Sequence, residues 1–404
     1  MFKKKLMIVD DSALMRRIES DIINSDSRFE VVKTCDNGLD AFNLVRSNPS
    51  SYDAILLDIN LPKMSGIEFL EAVRKAGVKA NVIIISSSLS SDSEHTIMAL
   101  ELGAIDFISK PENLFDFKSD GFKNRLLEKL AIASGINNLG FETETQTIPL
   151  SQDKSQSKEI PSENRFNSIR PAESPASTGI KRNHVVSPMN VREILANVTG
   201  RTKRFVPVGD NAKKLVLIAS STGGPKALQE VIPYIPANIN APVIVVQHMS
   251  AGFTKPLAER LDNASRLKVK EAMDGEVIKK GNVYIAQGGT QLRLMKVPGG
   301  YAFDVNTAEP PRAALKPCAD ILFESVVGTD FDEIICCVLT GMGGDGTMGI
   351  QYLTQKNNCF VIAQDEKTST VYGMPKVVID AGLTDIVVPL EDVAHEITKN
   401  TGVK

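Results

Sequence analysis

Residues 215–224 read Leu-Val-Leu-Ile-Ala-Ser-Ser-Thr-Gly-Gly, and this stretch decides the fold of the second half of the chain. Its apolar run predicts a buried parallel strand. The glycines permit a tight turn into a helix, with Pro225 near the first helical position. A serine on such a turn is lifted above the sheet edge beside the positive end of that helix. Ser221 is therefore a candidate nucleophile, because residues 219–223 match the G-x-S-x-G elbow except at the first glycine. A phosphate-binding turn or an ordinary loop fits the same short match.

The bulk composition excludes several classes of protein. The chain has 404 residues, 42% apolar and 24% charged, with a net charge of −3, which is ordinary for a soluble protein of about two to three domains. This charge does not indicate a nucleic-acid or anionic-membrane partner, and no aliphatic run is long enough to span a bilayer. The basic N-terminus is followed by an apolar run that ends at Asp10 and Asp11, unlike a signal peptide. The five cysteines are odd in number and lack metal-ligand spacing, which favours reduced core thiols in the cytoplasm.

Four short runs near the N-terminus have the pattern of strands, and each leads into a polar residue. The runs occupy residues 6–9, 54–57, 82–85 and 105–108, and helical patterns lie between them. Such alternation predicts a parallel sheet with helices on both faces and functional groups at the carboxyl ends of the strands. The groups at these ends are Asp10, Asp11, Asp58, Ser86 and Lys110.

These residue types suit phosphoryl transfer. Clustered carboxylates bind a hard divalent cation such as Mg²⁺, and one carboxylate remains as a nucleophile towards phosphorus. The cation and a lysine neutralise the transferring group, and a hydroxyl can bind the new phosphate. The alternative is a set of aspartates that cap helices. Matching groups at successive strand ends argue against that alternative.

Residues 4–125 resemble the receiver domain of two-component response regulators, which has a flavodoxin-like α/β fold. The resemblance implies that Asp58 is the phospho-acceptor, that Asp10 and Asp11 hold Mg²⁺ with it, that Lys110 contacts the phosphoryl group and that Ser86 is the switch hydroxyl. A run of serines at 86–88 leaves the switch position open by one residue. The matching segments are Ile-Val-Asp-Asp-Ser-Ala-Leu-Met-Arg-Arg at 8–17, Leu-Asp-Ile-Asn-Leu-Pro-Lys-Met-Ser-Gly at 57–66 and Gly-Ala-Ile-Asp-Phe-Ile-Ser-Lys-Pro at 103–111.

Between the two halves the composition becomes polar. Residues 134–206 are rich in Ser, Asn, Gln, Thr, Glu and Pro, and their apolar residues are isolated. Such a segment buries too little surface to offset its ordering entropy. We therefore expect a flexible linker over residues 126–206. Residues 190–197 have the pattern of a short amphipathic helix.

From residue 213 onward strands and helices alternate again. Candidate strands are 215–219, 243–247, 282–286, 333–339 and 360–363. A parallel sheet would bring Ser221, His248 and Asp345 to one edge, where they could act as nucleophile, base and orienting acid. Each also has a simpler interpretation. The histidine can be structural, the aspartate can be a turn residue, and the glycine-rich loop at 341–346 can bind phosphate.

Residues 213–400 resemble the catalytic domain of the chemotaxis protein-glutamate methylesterases, and a receiver in front of that domain is the family's order. The resemblance implies a doubly wound parallel-sheet α/β domain, here residues 207–404, with Ser221 as nucleophile, His248 as base and Asp345 as its partner. Backbone amides at Met342 and Thr222 are candidate oxyanion donors. The matching motifs are Ser-Thr-Gly-Gly-Pro at 221–225, Gln-His-Met-Ser-Ala-Gly-Phe-Thr at 247–254, Leu-Thr-Gly-Met-Gly-Gly-Asp-Gly at 339–346 and Ala-Gln-Asp-Glu-Lys-Thr-Ser-Thr-Val-Tyr-Gly-Met-Pro at 363–375.

Several positions depart from the family pattern while the proposed triad keeps it. The family usually has Gly-Ala before the nucleophile, Tyr-Ile-Ala-Pro followed later by a His, and His-Arg-Pro-Ser before Val-Asp. These changes concern the substrate groove and the receptor preference. The departures are at Ala219, Gln287, Gln291, Leu315 and Cys318.

The resemblance implies a phosphorylation-activated methylesterase that hydrolyses glutamate γ-methyl esters on chemoreceptors, releases methanol and deamidates selected receptor glutamines, for sensory adaptation. Its partners would be methyl-accepting chemotaxis receptors and a sensor histidine kinase, with Mg²⁺ in the receiver and no cofactor in the esterase. The unphosphorylated receiver would cover the esterase cleft. Two rival classes are a phospho-regulated binding module and a transcriptional regulator, and the lack of a basic recognition helix argues against the second.

Overall fold

The first domain is a five-stranded parallel sheet in the order β2-β1-β3-β4-β5. The computed structural model describes residues 2–87, 90–111, 113, 116–117, 119–136 and 191–403. The elements of this domain are β1 (Lys4–Val9), α1 (Ala13–Asn24), β2 (Phe29–Cys35), α2 (Gly38–Ser47), β3 (Ala54–Asp58), α3 (Gly66–Lys75), β4 (Val82–Ser86), α4 (Ser90–Glu101), β5 (Asp106–Ser109) and α5 (Asp120–Ala133).

The second domain is built on a seven-stranded parallel sheet in the order β14-β13-β12-β6-β7-β9-β8, with a separate antiparallel hairpin β10-β11. Strand β6, which leads into the Ser-Ser-Thr-Gly-Gly turn, is the central strand of that sheet. Its elements are α6 (Val191–Asn197), β6 (Lys214–Ser220), α7 (Gly224–Val231), β7 (Val243–Gln247), α8 (Thr254–Ala264), β8 (Lys268–Glu271), β9 (Asn282–Ile285), β10 (Gln291–Val297), β11 (Gly300–Asn306), α9 (Ala319–Val326), β12 (Glu333–Val338), α10 (Thr347–Lys356), β13 (Cys359–Gln364), α11 (Gly373–Asp380), β14 (Ile386–Val388) and α12 (Leu390–Asn400).

The predicted α/β class is confirmed for both domains. Apart from the edge strand β5, the strands that the sequence predicted lie in the interior of their sheets. All residues of β3, β4, β6 and β7 are buried. The strands that the sequence did not reveal lie at sheet edges or in the hairpin. β2 is buried only at its two ends, Phe29 and Cys35, and β8 and β14 are short edge strands. An edge strand needs no continuous apolar run, so its sequence resembles that of a loop.

The predicted linker falls largely on residues 137–190, which lie outside the described residues. At its beginning α5 continues to Ala133, and at its end α6 occupies Val191–Asn197. None of the helices in the described ranges is both long enough and apolar enough to cross a membrane. All five cysteines are buried and carry free thiols.

The two domains are in contact, and the described residues form one compact unit. Helix α4 of the first domain packs against α7 and α8 of the second. The rings of Phe107 and Phe253 lie 4.5 Å apart between centroids. Glu101, the last residue of α4, accepts hydrogen bonds from Gln229 Nε2 at 2.9 Å and from Arg260 Nε at 2.5 Å. This contact faces the helix that begins beside Ser221.

The central sheet of the second domain also contains a buried ion pair. Lys214 Nζ lies 3.3 Å from Glu333 Oε2, with the two side chains 3% and 1% exposed. The same Nζ donates to Asn400 O at 2.7 Å, which ties the last helix to the first strand of the domain. Burial raises the pKa of Glu333, and Lys214 opposes that rise.

We expect Lys214→Met to lower the free energy of unfolding by about 3–5 kcal/mol, because it leaves the Glu333 carboxylate buried without its counter-charge. Calorimetric unfolding of the purified variant measures the loss. The double variant Lys214→Met with Glu333→Leu is the control and should regain most of it. Equal destabilisation in both variants would show that the ion pair is not the source.

Candidate functional site

The turn after β6 exposes one serine and buries the other. Ser220 is fully buried and its Oγ donates to Gln247 Oε1 at 2.7 Å. Ser221 is half-buried, and its Oγ forms no hydrogen bond with any described residue. A β-carbon on Gly224 would lie 1.9 Å from Gln247 Oε1, so only glycine lets α7 start this close to β7. The hydroxyl available for chemistry is therefore that of Ser221.

Gln247 joins this turn to the next strand end. Its Nε2 donates to Ser221 O at 2.9 Å and to His248 O at 3.2 Å. His248 N donates in turn to Ser220 O at 3.0 Å. The backbones that carry Ser221 and His248 are thus held together by a buried amide that the sequence alone did not identify.

His248 and Asp345 form a hydrogen-bonded pair. His248 Nε2 lies 2.7 Å from Asp345 Oδ2, and the two side chains are 9% and 5% exposed. When Nε2 carries the proton and donates it to the carboxylate, Nδ1 is left as the basic nitrogen of the ring. The pair has the chemistry of a general base with its orienting acid.

The carboxylate of Asp345 is held by the start of α9. Oδ2 accepts from Ala319 N at 2.6 Å, and Oδ1 accepts from Asp320 N at 3.0 Å and from Cys318 Sγ at 3.1 Å. Burial alone would raise the pKa of Asp345, but the hydrogen bond and charge of His248 and the two backbone amides lower it to about 2. Asp345 is therefore ionised throughout the neutral range.

Three of the residues that depart from the family pattern, Gln291, Leu315 and Cys318, are hydrogen-bonded in the loop that leads to α9. Gln291 Oε1 accepts from Cys318 N at 2.9 Å, and its Nε2 donates to Leu315 O at 3.0 Å. Gln287 Nε2 donates to Ala272 O at 2.7 Å. Burial raises the pKa of Cys318, so this residue remains a thiol that can donate to Asp345. Gln291 and Cys318 thus hold the loop that presents the start of α9 to Asp345.

Two backbone amides near Ser221 have no partner in the described part of the chain, those of Thr222 and Met342. The loop of Met342 lies against the serine, because a β-carbon on Gly341 would come 2.8 Å from Ser221 Cβ. Thr340 Oγ1 donates to Thr222 O at 2.9 Å and joins the two loops. Unpaired amides beside a nucleophile are the groups that an oxyanion site requires.

A second cluster lies at the carboxyl edge of the first sheet. Asp10, Asp11 and Asp58 each present an oxygen within 4.8 Å of the others. This set of hard oxygen ligands fits a divalent cation such as Mg²⁺. Lys110 Nζ lies 2.9 Å from Asp10 Oδ2 and 2.6 Å from Asp58 Oδ2. Burial raises the pKa of Asp58, and Lys110 opposes that effect.

The hydroxyl of Ser86 is hydrogen-bonded to Ser87 and to helix α4. Its Oγ donates to Ser87 O at 3.2 Å and accepts from Thr96 Oγ1 of α4 at 2.9 Å. Ser86 and Thr96 are both buried. The structure therefore brings Lys110 to the carboxylates, while Ser86 is bonded to α4. The bond to Thr96 could not be anticipated, because it joins residues ten positions apart across a loop.

The fold and the two clusters define a protein in which a receiver-type domain precedes a parallel α/β domain with a serine, a histidine and an aspartate at one sheet edge. Residues 6–119 match the response regulator receiver domain and residues 216–397 match the CheB methylesterase family. The chain is 35% identical over 401 residues to protein-glutamate methylesterase/protein-glutamine glutaminase 1 of Syntrophomonas wolfei, which covers 98% of both chains. It is 35% identical over 395 residues to the corresponding protein of Halalkalibacterium halodurans, over 98% of this chain and 97% of that one.

The chain belongs to the family of protein-glutamate methylesterases/protein-glutamine glutaminases, which confirms the resemblance seen in the sequence. Among solved structures it is similar to the CheB methylesterase catalytic domain of Thermotoga maritima. That domain is 41% identical and covers 46% of this chain and 98% of its own length, with a TM-score of 0.45.

We expect Gly341→Ala to destabilise the second domain by about 1–3 kcal/mol, because over-packing is costly in a dense interior. The added β-carbon would lie 2.8 Å from Ser221 Cβ and 2.3 Å from Met374 Sδ. Urea unfolding measures the change. Gly209→Ala is the matched control, since a β-carbon there meets nothing within 4 Å. If both variants unfold at the same urea concentration, the loop is looser than its contacts indicate.

Proposed function

We propose that this chain is a phosphorylation-controlled protein-glutamate methylesterase and protein-glutamine glutaminase. The observation that carries the proposal is the bond of His248 to a buried, ionised Asp345, beside a serine whose hydroxyl is unbonded within the described chain. The enzyme acts in the cytoplasm, and its substrates are glutamate γ-methyl esters and selected glutamines on the cytoplasmic helices of methyl-accepting chemotaxis receptors. The products are receptor glutamates, with methanol from the methyl ester or ammonia from the amide.

Each of the site residues has its own role in the reaction. Ser221 Oγ attacks the ester carbonyl while His248 Nδ1 takes the hydroxyl proton, and Asp345 stabilises the resulting imidazolium. The amides of Met342 and Thr222 donate to the oxyanion. His248 then gives the proton to the leaving methoxide, and methanol departs from an acyl-serine. A water molecule, deprotonated by His248, hydrolyses that ester and restores Ser221.

In the first domain Asp58 is the phospho-acceptor and a sensor histidine kinase is the phosphodonor. Asp10, Asp11 and Asp58 would hold Mg²⁺, and the bound ion would supply charge neutralisation for the phosphoryl group. Lys110 already contacts two of these carboxylates, and its ammonium group can contact the phosphoryl oxygens once Asp58 is phosphorylated. The esterase needs no cofactor in this scheme, since every step uses a side chain or a backbone amide.

The contact between the domains supports gating by the receiver. Gly103 and Ala104 line a narrow cleft with Gly223 and Thr370, next to the turn of Ser221. A phosphoryl group on Asp58 adds strong acceptor oxygens. Ser86 must leave Thr96 to reach them, which frees α4, the helix that contacts α7 and α8. Helix α4 is thus the two-state element that phosphorylation biases.

Methanol release from methylated receptor membranes tests the activity. Ser221→Ala should lose activity by a factor on the order of 10⁴, because only binding and the oxyanion site remain. Ser220→Ala is the matched control, and its activity should stay within a few-fold of the wild type. The Ser220 hydroxyl is buried and hydrogen-bonded to Gln247, so it is not available to attack the substrate. Equal losses in the two variants would reject Ser221 as the nucleophile, and no methanol from the wild type would favour a binding module.

Gating is tested through the contact between the domains. Glu101→Ala should raise methanol release without phosphodonor by about two- to fivefold, because a partly exposed ion pair contributes up to about 1 kcal/mol to the closed state. Arg17→Ala removes a more exposed pair within α1 and is the control. Asp58→Asn should stay at the low basal rate with phosphodonor and Mg²⁺. A fall in basal rate for Glu101→Ala would indicate that the receiver activates by docking.

A further inference from the structure

The last part of the predicted linker is bound along the catalytic domain. We call residues 191–208 the strap. Its residues form hydrogen bonds, an ion pair and a ring contact with α10, β13 and their neighbours. These contacts join Thr199 Oγ1 to Gln351 Nε2 at 2.7 Å, Arg201 to Asp385, the Phe205 ring to that of Phe360 at 4.9 Å, and Val206 to Asn358 by hydrogen bonds of 2.9 and 2.8 Å.

The strap begins with α6, which has seven residues. A helix this short does not persist alone in water, so its packing decides whether it forms. Ile194 is its buried residue, with 3% of its surface exposed. A β-carbon built on Gly344 would lie 3.0 Å from Ile194 Cδ1 and 2.8 Å from Val377 Cγ1. The backbone of Gly344 is therefore packed beneath Ile194 with no room for a side chain.

Gly344 immediately precedes Asp345. Its carbonyl accepts from Thr347 N at 3.2 Å, where α10 starts. From this short connection the carboxylate of Asp345 reaches His248 on one side and α9 on the other. Protein interiors are close-packed and transmit small displacements, and sub-ångström placement of reacting groups affects rates strongly. A change at Ile194 is thus transmitted to the acid of the proposed triad.

We propose that the strap contributes to catalysis. Within it, Ile194 is a positioning residue that holds Asp345 against His248 through Gly344. This role rests on the proposed use of Ser221, His248 and Asp345 in ester hydrolysis. Residues 191–206, which the sequence analysis assigned to the linker, then belong to the esterase domain, upstream of its predicted start at residue 207.

The test uses the full chain and the variant Ile194→Val, which removes only the Cδ1 atom that faces Gly344. Two readouts are taken. One is the downfield proton resonance of the His248–Asp345 hydrogen bond, identified by its absence in His248→Ala. The other is kcat and KM for methanol release, normalised to active sites titrated with a fluorophosphonate.

Ile194→Val should shift the resonance and lower kcat by about two- to tenfold with KM within twofold, and Ile194→Ala should do more. Glu193→Ala, on the exposed side of α6, is the control and should match the wild type. If Ile194→Ala does not fold, Gly344→Ala disturbs the same contact from the other side and should move the resonance. An unchanged resonance and an unchanged kcat per titrated site in Ile194→Val overturn the proposal.

The two readouts separate this inference from the proposed function. A wild-type chain that releases no methanol contradicts the proposed activity, whereas the resonance still decides whether Ile194 positions Asp345. A lower thermal unfolding temperature with both readouts unchanged would assign Ile194 to stability alone and would reject its positioning role.

Discussion

The catalytic domain depends on one buried carboxylate. Asp345 is ionised in an interior that disfavours charge, and a charge there is tolerated only when several donors meet it. Two amides at the start of α9, the Cys318 thiol and His248 supply those donors. The requirement explains why Gln291 anchors the backbone of Cys318 at the start of α9. The same carboxylate that the fold must satisfy is the one that orients the histidine.

The receiver domain packs against α7, the helix that follows the Ser221 turn, and against α8. Helix α4 begins near Ser86, bonds it through Thr96, and ends at Glu101 against α7 and α8. A helix held at its middle and at its end transmits a change from one point to the other only if it has two arrangements. In the proposed scheme a phosphoryl group on Asp58 would compete for Ser86, whereas the contact with α7 and α8 would favour the present arrangement, so the two sites would bias the same helix.

Sequence patterns were sufficient for the central strands and for the residues at their carboxyl ends. The runs at 243–247 and 82–85 are buried on both faces, and such burial leaves a continuous aliphatic run. The edge strands β2, β8 and β14 left no such pattern, since most of their residues are exposed or only partly buried. The supporting contacts of Gln247, Cys318 and Thr96 were also beyond the sequence. Each depends on a partner brought near by tertiary packing, and a glutamine, a thiol or a threonine has no pattern that names its partner in advance. The ring nitrogen that His248 offers to Asp345 likewise follows only from the packed geometry.

The most direct measurement of the account is the chemical trapping of the acyl-enzyme. Enzyme mixed with a methyl-esterified receptor peptide and quenched with acid within the first turnover is digested and mapped by mass spectrometry. The account predicts a single peptide adduct, linked as an ester through Ser221 and formed as methanol is released. An adduct on another residue, or methanol released with no adduct at any quench time, would contradict it.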